Sequence, residues 1–322
     1  MTWRHLLSQN ETSTVKHANE QPNHHGILNL DKPAGWTSHD VVARVRRLLH
    51  QRGVGHAGTL DPLATGVLVV CVGQATRVVE YLMAGQKVYR AVARLGETSD
   101  TYDIDGAITA TAPVPPLTRA DLALALAPFV GPILQIPPAY SAIKQDGVPA
   151  HRRARRGQVV ELTARPVTIN RIDLLDWQPP HLTLEVTCGP GAYIRSLTHD
   201  LGQALGCGAV LTALTRLRSG SFALADAISL ETLAEAAEAG QVARYLHPLR
   251  SALTDLTPVP VDPQATAQIA HGQAIPCPTR PENETGVACG PDGGVLAILV
   301  YDATRMQWRP RKVFAADENG SG

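Results

Sequence analysis

The chain contains the run GVGHAGTLDPLATG at residues 53–66, and the apolar run VLVVCV follows directly at 67–72. The first run holds four glycines, one histidine and one carboxylate, Asp61, in fourteen positions. Glycine permits positive φ angles and lets other groups approach the backbone closely. A loop of this composition that leads into a buried strand can present a reactive side chain to a ligand. If the loop does chemistry, Asp61 is the nucleophile or base that it offers.

The same loop also fits a simple turn, because Asp-Pro is a common turn dipeptide and Asp61 could bond to its own backbone. The run lacks the Gly-Lys-Ser/Thr ending of a phosphate-binding loop, and its glycine spacing differs from the dinucleotide fingerprint. A nucleotide hydrolase built on this loop is therefore disfavoured. From the loop alone, a catalytic role and a structural turn both remain open.

Composition limits the class of protein. A chain of 322 residues is long enough for two domains, or for one large domain with an appendage. Lys+Arg and Asp+Glu both number 29, which argues against polyanion binding over the whole surface. The five cysteines form no C-x-x-C pair, which favours reduced thiols in a cytoplasmic protein. No segment approaches the roughly 18 apolar residues of a membrane span, so we expect no membrane contact.

Residues 1–26 are polar and contain no apolar core of a secretory signal, so we expect a disordered tail there. We also expect no metal site. The tail histidines, His17, His24 and His25, have no partners at ligand spacing. The acidic loop at 100–106 does not bind calcium in this interpretation, because Ala112 stands where the bidentate glutamate is needed.

Hydrophobic periodicity predicts a mixture of strands and helices along the chain. Strands are predicted at 27–30, 67–72, 87–95, 167–175 and 182–188. Helices are predicted after the capping residue Thr37 and near 76–83, 118–127, 195–205 and 230–239. From residue 257, prolines, short apolar runs and glycine turns predict a small β-rich C-terminal domain, preceded by a linker near 249–260.

The segment 141–171 is locally basic, with seven Lys or Arg against two Asp or Glu. Such a run is compatible with an ordinary solvated face. The functional alternative is a surface that contacts a polyanion. A second glycine turn at 189–195 presents Tyr193 and Arg195 just before a helix.

Six blocks of the chain together resemble the bacterial tRNA pseudouridine-55 synthase family, TruB. They are GILNLDKP (26–33), GHAGTLDPLATG (55–66), KVYR (87–90), QIPPAYSAIK (135–144), GAYIR (191–195) and LGCGA (205–209). The blocks occur in the family's order and span about residues 26–220. The region around Gly272-Gln273 is more loosely similar to a small RNA-binding PUA domain.

The resemblance implies an α+β fold whose catalytic domain contains a mixed, largely antiparallel sheet. It places this catalytic domain at 27–252, with a basic RNA-binding insertion at about 112–166. A small β-rich, PUA-like RNA-binding domain is expected at 257–315.

The family isomerises one uridine in the T-loop of tRNA without a cofactor or metal, and the matching positions imply roles for individual residues. Asp61 falls on the catalytic aspartate, and Arg195 on the arginine that pairs with it. Tyr89 falls on the tyrosine that stacks on the base. Tyr193 falls on a second tyrosine of the active site, and Leu214 on an apolar residue of the base pocket.

The remaining implied roles concern RNA contact. His56 falls on a histidine that helps to push the target base out of its loop. The side chains expected to contact the RNA backbone are Lys32, Lys144, Arg152, Arg153, Arg155 and Arg156. The chain departs from the family at His151, where an aromatic residue is usual, and in its long N-terminus.

The resemblance thus implies an enzyme that acts on the T-arm of tRNA, and a monomer is the default expectation. Whether Asp61 attacks the base or the sugar stays open. A non-catalytic tRNA-binding protein or RNA chaperone with the same basic face is the alternative hypothesis.

Overall fold

The computed structural model describes residues 23–314 except 142, 146–147, 155, 157, 159–161 and 292, and it describes only the backbone at 144–145, 148–149 and 151. Most of the tail predicted at 1–26 therefore lies outside the described residues, as does Ala315 at the end of the predicted C-terminal domain. No helix in the described part of the chain is long and apolar enough to cross a membrane.

The described residues form eighteen strands and seven α-helices. The strands are β1 (Gly26–Lys32), β2 (Val54–His56), β3 (Thr65–Val72), β4 (Lys87–Leu95), β5 (Glu97–Ser99), β6 (Ile108–Ala110), β7 (Gly131–Gln135), β8 (Lys144–Gln145), β9 (Val148–Pro149), β10 (Arg165–Gln178), β11 (His181–Cys188), β12 (Ala209–Ser219), β13 (Phe222–Ala223), β14 (Thr257–Val259), β15 (Ile275–Pro276), β16 (Thr285–Cys289), β17 (Val295–Asp302) and β18 (Gln307–Val313). The helices are α1 (Ser38–Leu48), α2 (Val79–Ala84), α3 (Arg119–Leu126), α4 (Ala150–Ala154), α5 (Ile194–Ala204), α6 (Leu230–Glu238) and α7 (Pro263–Ala270).

A nine-stranded sheet forms the centre of the molecule, in the order β1-β3-β12-β4-β11-β10-β7, with β2 also paired to β3 and β13 to β12. Its described pairings are antiparallel except for the short parallel contact of β12 with β3. A second sheet of five strands, in the order β14-β16-β17-β18-β15, follows in the C-terminal part. The predicted α+β class, with a largely antiparallel sheet and a β-rich C-terminal domain, is confirmed.

Strand β3 explains why the run at 67–72 is apolar without alternation. Leu68, Val70 and Val72 pack into the main core on one face of the sheet. Val67 and Val69 pack on the other face, in a cluster that also contains residues of the C-terminal sheet. A strand covered on both faces needs apolar side chains at every position. Each fully buried valine or leucine contributes about 1.5–3 kcal/mol relative to an exposed one.

The parallel contact between β3 and β12 requires glycine at the start of β3. Gly66 has a φ of +94° and pairs with Arg216 of β12. A Cβ atom at this position would lie 2.3 Å from the Arg216 carbonyl oxygen. Any larger residue would therefore push β3 and β12 apart at the end of the glycine-rich loop.

Capping residues in the sequence correctly predicted where two helices begin. Thr37 and Asp40 form a reciprocal capping box at the start of α1, and Thr118 and Asp121 form another at the start of α3. Each box provides hydrogen-bond acceptors for two backbone amides that have no partner within the helix, and this fixes where the helix begins.

Two predictions of local structure were wrong in part. The helix predicted near 76–83 is a 3-10 helix over Gly73–Val78 that continues into the short α2. The linker predicted near 249–260 is a packed segment. It holds a 3-10 helix at Leu249–Ala252 and strand β14, and its leucines lie in the apolar cluster that joins the two sheets. The change of sequence texture at residue 257 suggested a connection between domains, but the interleaved leucines decide the packing.

The predicted insertion at 112–166 is partly integrated into the main body. Helix α3 buries Leu122 and Leu126 in the main core, and β7 forms the edge of the large sheet through its pairing with β10. The backbone of the β8–β9 hairpin and α4 follows β7 in the chain.

Candidate active site

The loop between β2 and β3 carries Asp61 and is held by side chains from the neighbouring segment. The Ser38 hydroxyl donates to the Leu60 carbonyl at 3.1 Å and accepts from the Leu60 amide at 2.8 Å. The Lys32 ammonium donates to the carbonyls of Pro33, Trp36 and Pro62 at 2.8, 2.6 and 3.3 Å. Asp61 therefore sits in a loop that is fixed on both sides.

This arrangement corrects the prediction that Lys32 contacts the RNA backbone. Lys32 is 0% exposed, and its hydrogen bonds join the 33–36 segment to the loop that carries Asp61. Burial lowers the pKa of Lys32 to about 8, and the charge of Asp61 opposes part of this effect. The sequence suggested a surface cation because lysine is rarely buried.

Replacing Lys32 with methionine is expected to reduce the free energy of unfolding by about 2 kcal/mol, because three backbone carbonyls lose their donor. Chemical denaturation monitored by circular dichroism measures this loss. Exposed Arg47 of α1 provides the control, since Arg47→Met should change stability by less than about 0.5 kcal/mol. An unchanged unfolding midpoint for Lys32→Met would show that the ammonium does not hold the loop.

The Arg195 guanidinium, at the start of α5, joins two carboxylates from separate loops. Its Nη2 lies 2.9 Å from Asp61 Oδ1, and its Nη1 lies 3.4 Å from Asp103 Oδ2. It also donates to the carbonyls of Thr101 and Tyr140 at 3.1 and 3.0 Å. The Arg195 side chain is 4% exposed and that of Asp103 is 5% exposed, whereas Asp61 retains 31%. Asp61 is thus the carboxylate that remains open to a ligand.

Asp103 was not predicted as part of the site. Burial raises its pKa, while a hydrogen bond from the Thr101 hydroxyl and the charge of Arg195 oppose that rise. The acidic loop around it was considered only as a calcium site. A buried carboxylate facing a buried guanidinium instead fixes the guanidinium in place.

A cleft of about 580 Å³ opens beside this ion pair. A space of this size is typical of small-ligand sites and can hold a nucleotide base. The predicted site residues that line it are Asp61, Tyr89, Tyr193, Arg195 and Leu214. These positions come from two loops, two strands and one helix terminus, so the fold brings together residues up to 153 positions apart in the chain.

Tyr193 is fixed by the edge strand β7. Its amide donates to Gln135 Oε1 at 2.8 Å, and Gln135 Nε2 donates to the Tyr193 carbonyl at 3.0 Å. Burial raises the pKa of the phenol, and the Ser141 side chain opposes part of this effect. The Tyr193 backbone is therefore fixed at the cleft wall before any ligand binds.

Tyr89 and Leu214 lie on the neighbouring strands β4 and β12. Leu214 is buried and Tyr89 is half-buried. Burial is also the main reason why the pKa of Tyr89 is raised. Together they give the cleft an apolar floor with one aromatic ring, which suits stacking of a base.

His56 does not line the cleft. Its Nδ1 is buried with no hydrogen-bond partner in the described part of the chain. Burial, together with the charges of Arg216 and His39, lowers the His56 pKa. The described cleft lining therefore excludes His56, and its role in extruding the base stays a prediction.

The predicted RNA-backbone residues are only partly described. Arg152 and Arg156 are exposed and Arg153 is half-buried, near the short helix α4. The side chain of Lys144 and all of Arg155 lie outside the described residues. In the residues for which coordinates are described, no group of three His, Cys, Asp or Glu side chains is arranged to hold a metal ion.

Two further cations of the cleft were missed in the sequence. Lys87 at the start of β4 and Arg216 of β12 both line the cleft and are nearly fully buried. The alternation of β4 offered a signal for Lys87, because it shares a face with Tyr89. The sequence offers no comparable signal for Arg216.

Comparison with known proteins gives a consistent result. A model of the TruB family pseudouridylate synthase N-terminal domain matches residues 46–194, and one of the tRNA pseudouridylate synthase B C-terminal domain matches 195–254. A curated tRNA pseudouridine synthase B of Xanthomonas campestris pv. campestris (strain B100) is 44% identical over 280 residues, covering 87% of this chain and 91% of the relative. Its counterpart in Pseudomonas putida (strain F1) is 46% identical over 260 residues, covering 80% and 85%.

Solved structures agree with the sequence relatives. A chain of a Cbf5-Nop10-Gar1 complex has a TM-score of 0.71 and 27% identity, covering 91% of this chain and 86% of that one. A chain of an H/ACA RNP bound to a substrate RNA containing 2'-deoxyuridine has a TM-score of 0.69 and 26% identity, with the same coverage. By sequence and by fold, the chain belongs to the TruB family of pseudouridine synthases.

Proposed function

We propose that this enzyme converts uridine 55 in the T-loop of tRNA to pseudouridine, with Asp61 as the nucleophile. The observation that carries the proposal is the ion pair of partly open Asp61 with buried Arg195 at the wall of a base-sized cleft. The names of the curated relatives support tRNA as the substrate.

The reaction needs a carboxylate that is both reactive and fixed. Breaking a glycosidic bond creates an electron-poor sugar carbon, which an ionised carboxylate can capture or stabilise. The neighbouring guanidinium compensates the charge of Asp61, and its planar fork also bonds to backbone carbonyls. The C1'–N1 bond breaks with its electron pair left on N1, and the Asp61 carboxylate bonds to C1'. C5 then displaces the carboxylate from C1', the proton on C5 is lost, and N1 gains a proton.

The target base must leave the stacked T-loop to reach Asp61. Extruding it costs a few kcal/mol. Stacking on Tyr89 would return about 1–3 kcal/mol of this cost. Leu214 and Tyr193 would bound the pocket around the base, and no cofactor enters the proposed reaction.

The experiment uses a full tRNA transcript carrying tritium at C5 of its uridines. The proposal expects tritium release of one equivalent per tRNA and a carbodiimide-reactive product at position 55. A transcript with cytidine at position 55 is the control and should release none. Protection of the T-arm without modification would favour the alternative of a non-catalytic tRNA-binding protein.

The arginines near α4 would contact phosphates of the T-arm. For the double variant Arg152→Gln/Arg156→Gln, we expect weaker tRNA binding and a log–log salt dependence that is shallower by about 0.7 for each phosphate that the variant no longer neutralises. Turnover at saturating tRNA should be unchanged, because neither side chain lines the cleft. Filter binding between low and moderate salt measures the slope, with Arg47→Gln as the exposed control. An unaltered slope in the double variant would remove these arginines from the interface.

A further inference from the structure

Arg216 and Tyr89 are direct cross-strand neighbours. The two residues are paired in the antiparallel contact of β12 with β4. Side chains of such a pair lie on the same face of the sheet, with Cβ atoms about 4.5–5.5 Å apart. Both side chains also line the cleft that holds Asp61. The ring proposed to stack on the base therefore has a guanidinium beside it.

The Arg216 guanidinium is buried without a negative partner. Its side chain is among the largest fully buried ones, and the residue is 1% exposed. Its Nε donates to the Val67 carbonyl at 2.6 Å, and its Nη2 donates to the Gly58 carbonyl at 3.1 Å. In the part of the chain that the structure describes, Arg195 has two carboxylate partners, whereas Arg216 has none.

Lys87 repeats this arrangement at the same cleft. It lies two residues from Tyr89 on the same strand face, is 6% exposed, and donates to the carbonyls of Met83 and Gly85. No described carboxylate pairs with it. Burying a charge without a counter-charge is costly, so two such cations at one site need an explanation other than stability.

We infer that Arg216, with Lys87 beside it, stabilises the negative charge that develops on the uracil base during the proposed reaction. When the C1'–N1 bond breaks, its electron pair stays on N1, and the base carries one negative charge that spreads to O2 and O4. The charge is neutralised when C5 bonds to C1'; C5 then loses its proton and N1 gains one. Fixed, buried positive charges aimed at such a transient anion stabilise it strongly, because they need no reorganisation.

The pKa of the Tyr89 phenol agrees with an Arg216 guanidinium close to the ring. Burial raises the pKa of the phenol, and the Arg216 guanidinium acts in the opposite direction. A positive charge that favours an anionic phenolate at this position also favours an anionic base stacked on the ring.

The inference rests on the proposed function, and the test uses single-turnover kinetics on tRNA with Arg216→Gln and Arg216→Lys. Glutamine keeps a donor for the carbonyls but removes the charge, and should slow the reaction at least about 50-fold. Lysine keeps the charge and should lose less than about tenfold. The dissociation constant for tRNA should stay within about threefold, because the buried guanidinium does not reach phosphates. Exposed Arg218 on the same strand is the control, and Arg218→Gln should react at the wild-type rate.

A second substrate separates electrostatics from a merely structural effect. Fluorine at C5 withdraws electrons and makes the uracil anion more stable, so a 5-fluorouridine tRNA needs less help from the protein. The consumption of 5-fluorouridine is measured after nuclease digestion. The factor by which Arg216→Gln slows this reaction should be at least about fivefold smaller than the factor by which it slows the reaction on uridine. Equal losses on both substrates would overturn the inference, as would a wild-type rate for Arg216→Gln.

Two outcomes keep the proposals distinguishable. A wild-type enzyme that forms no pseudouridine on the uridine tRNA overturns the proposed function. An active wild type with an unaffected Arg216→Gln variant overturns only the inference. If circular dichroism shows that Arg216→Gln does not fold, Lys87→Gln replaces it. Lys87→Gln should then lose less rate on the 5-fluorouridine tRNA than on the uridine tRNA. Equal losses of rate on the two substrates would overturn the inference.

Discussion

Replacing Asp61 with asparagine is expected to abolish pseudouridine formation, with a loss of at least about 10⁴-fold in the single-turnover rate. Asparagine has the shape of aspartate, and its amide oxygen can still accept from Arg195 Nη2, which lies 2.9 Å from Oδ1 in the native side chain. What it lacks is the negative charge and the nucleophilic oxygen. Tritium release from a C5-labelled transcript measures the loss directly.

The fold and the tRNA affinity of Asp61→Asn should survive. Asp61 is partly exposed, and the loop around it is fixed by Ser38 and Lys32 rather than by its own carboxylate. The buried Arg195 also keeps its second partner, Asp103. Circular dichroism and filter binding should therefore give values close to wild type. Appreciable turnover by a pure Asp61→Asn preparation would remove Asp61 from its proposed role.

Local patterns in the sequence predicted those parts of the fold that neighbouring residues determine. The capping box at Thr37 and the apolar run of β3 each arise from interactions within a few residues or from burial on both faces. The alternation of Lys87–Leu95 likewise predicted β4 with its bounds. The linker prediction failed because the 3-10 helix Leu249–Ala252 packs against β1, α2 and the 3-10 helix Gly73–Val78, all far away in sequence.

The candidate site likewise contains residues that local sequence patterns revealed and residues that they did not. The glycine-rich loop and the turn before α5 pointed to Asp61 and Arg195 through composition and resemblance. The contact of Arg195 with Asp103 joins residues 92 positions apart, and no local pattern reveals it. Lys32 and Arg216 were misjudged or missed for a related reason. Charged residues are normally solvated, and only the three-dimensional structure shows that backbone carbonyls surround these two.

Arg195 connects both carboxylates, so its removal should affect stability and activity in separable ways. Arg195→Met leaves the buried Asp103 carboxylate without its counter-charge, which should destabilise the fold by about 3–5 kcal/mol. It also removes the charge beside Asp61 and should lower the single-turnover rate at least about 10³-fold. Denaturant unfolding and tritium release, made on the same preparation, measure the two effects.

The double variant Arg195→Met/Asp103→Asn separates the two roles. Neutralising the buried carboxylate should restore most of the lost stability, because the uncompensated charge is gone and the amide can still accept from the Thr101 hydroxyl, whose oxygen lies 2.5 Å from Asp103 Oδ1. Activity should not return, since Asp61 still lacks its guanidinium. Recovery of activity together with stability would mean that Arg195 serves the fold alone. Asp103→Asn by itself should retain more activity than Arg195→Met, because the direct contact of Arg195 with Asp61 remains and the guanidinium keeps its bonds to the Thr101 and Tyr140 carbonyls.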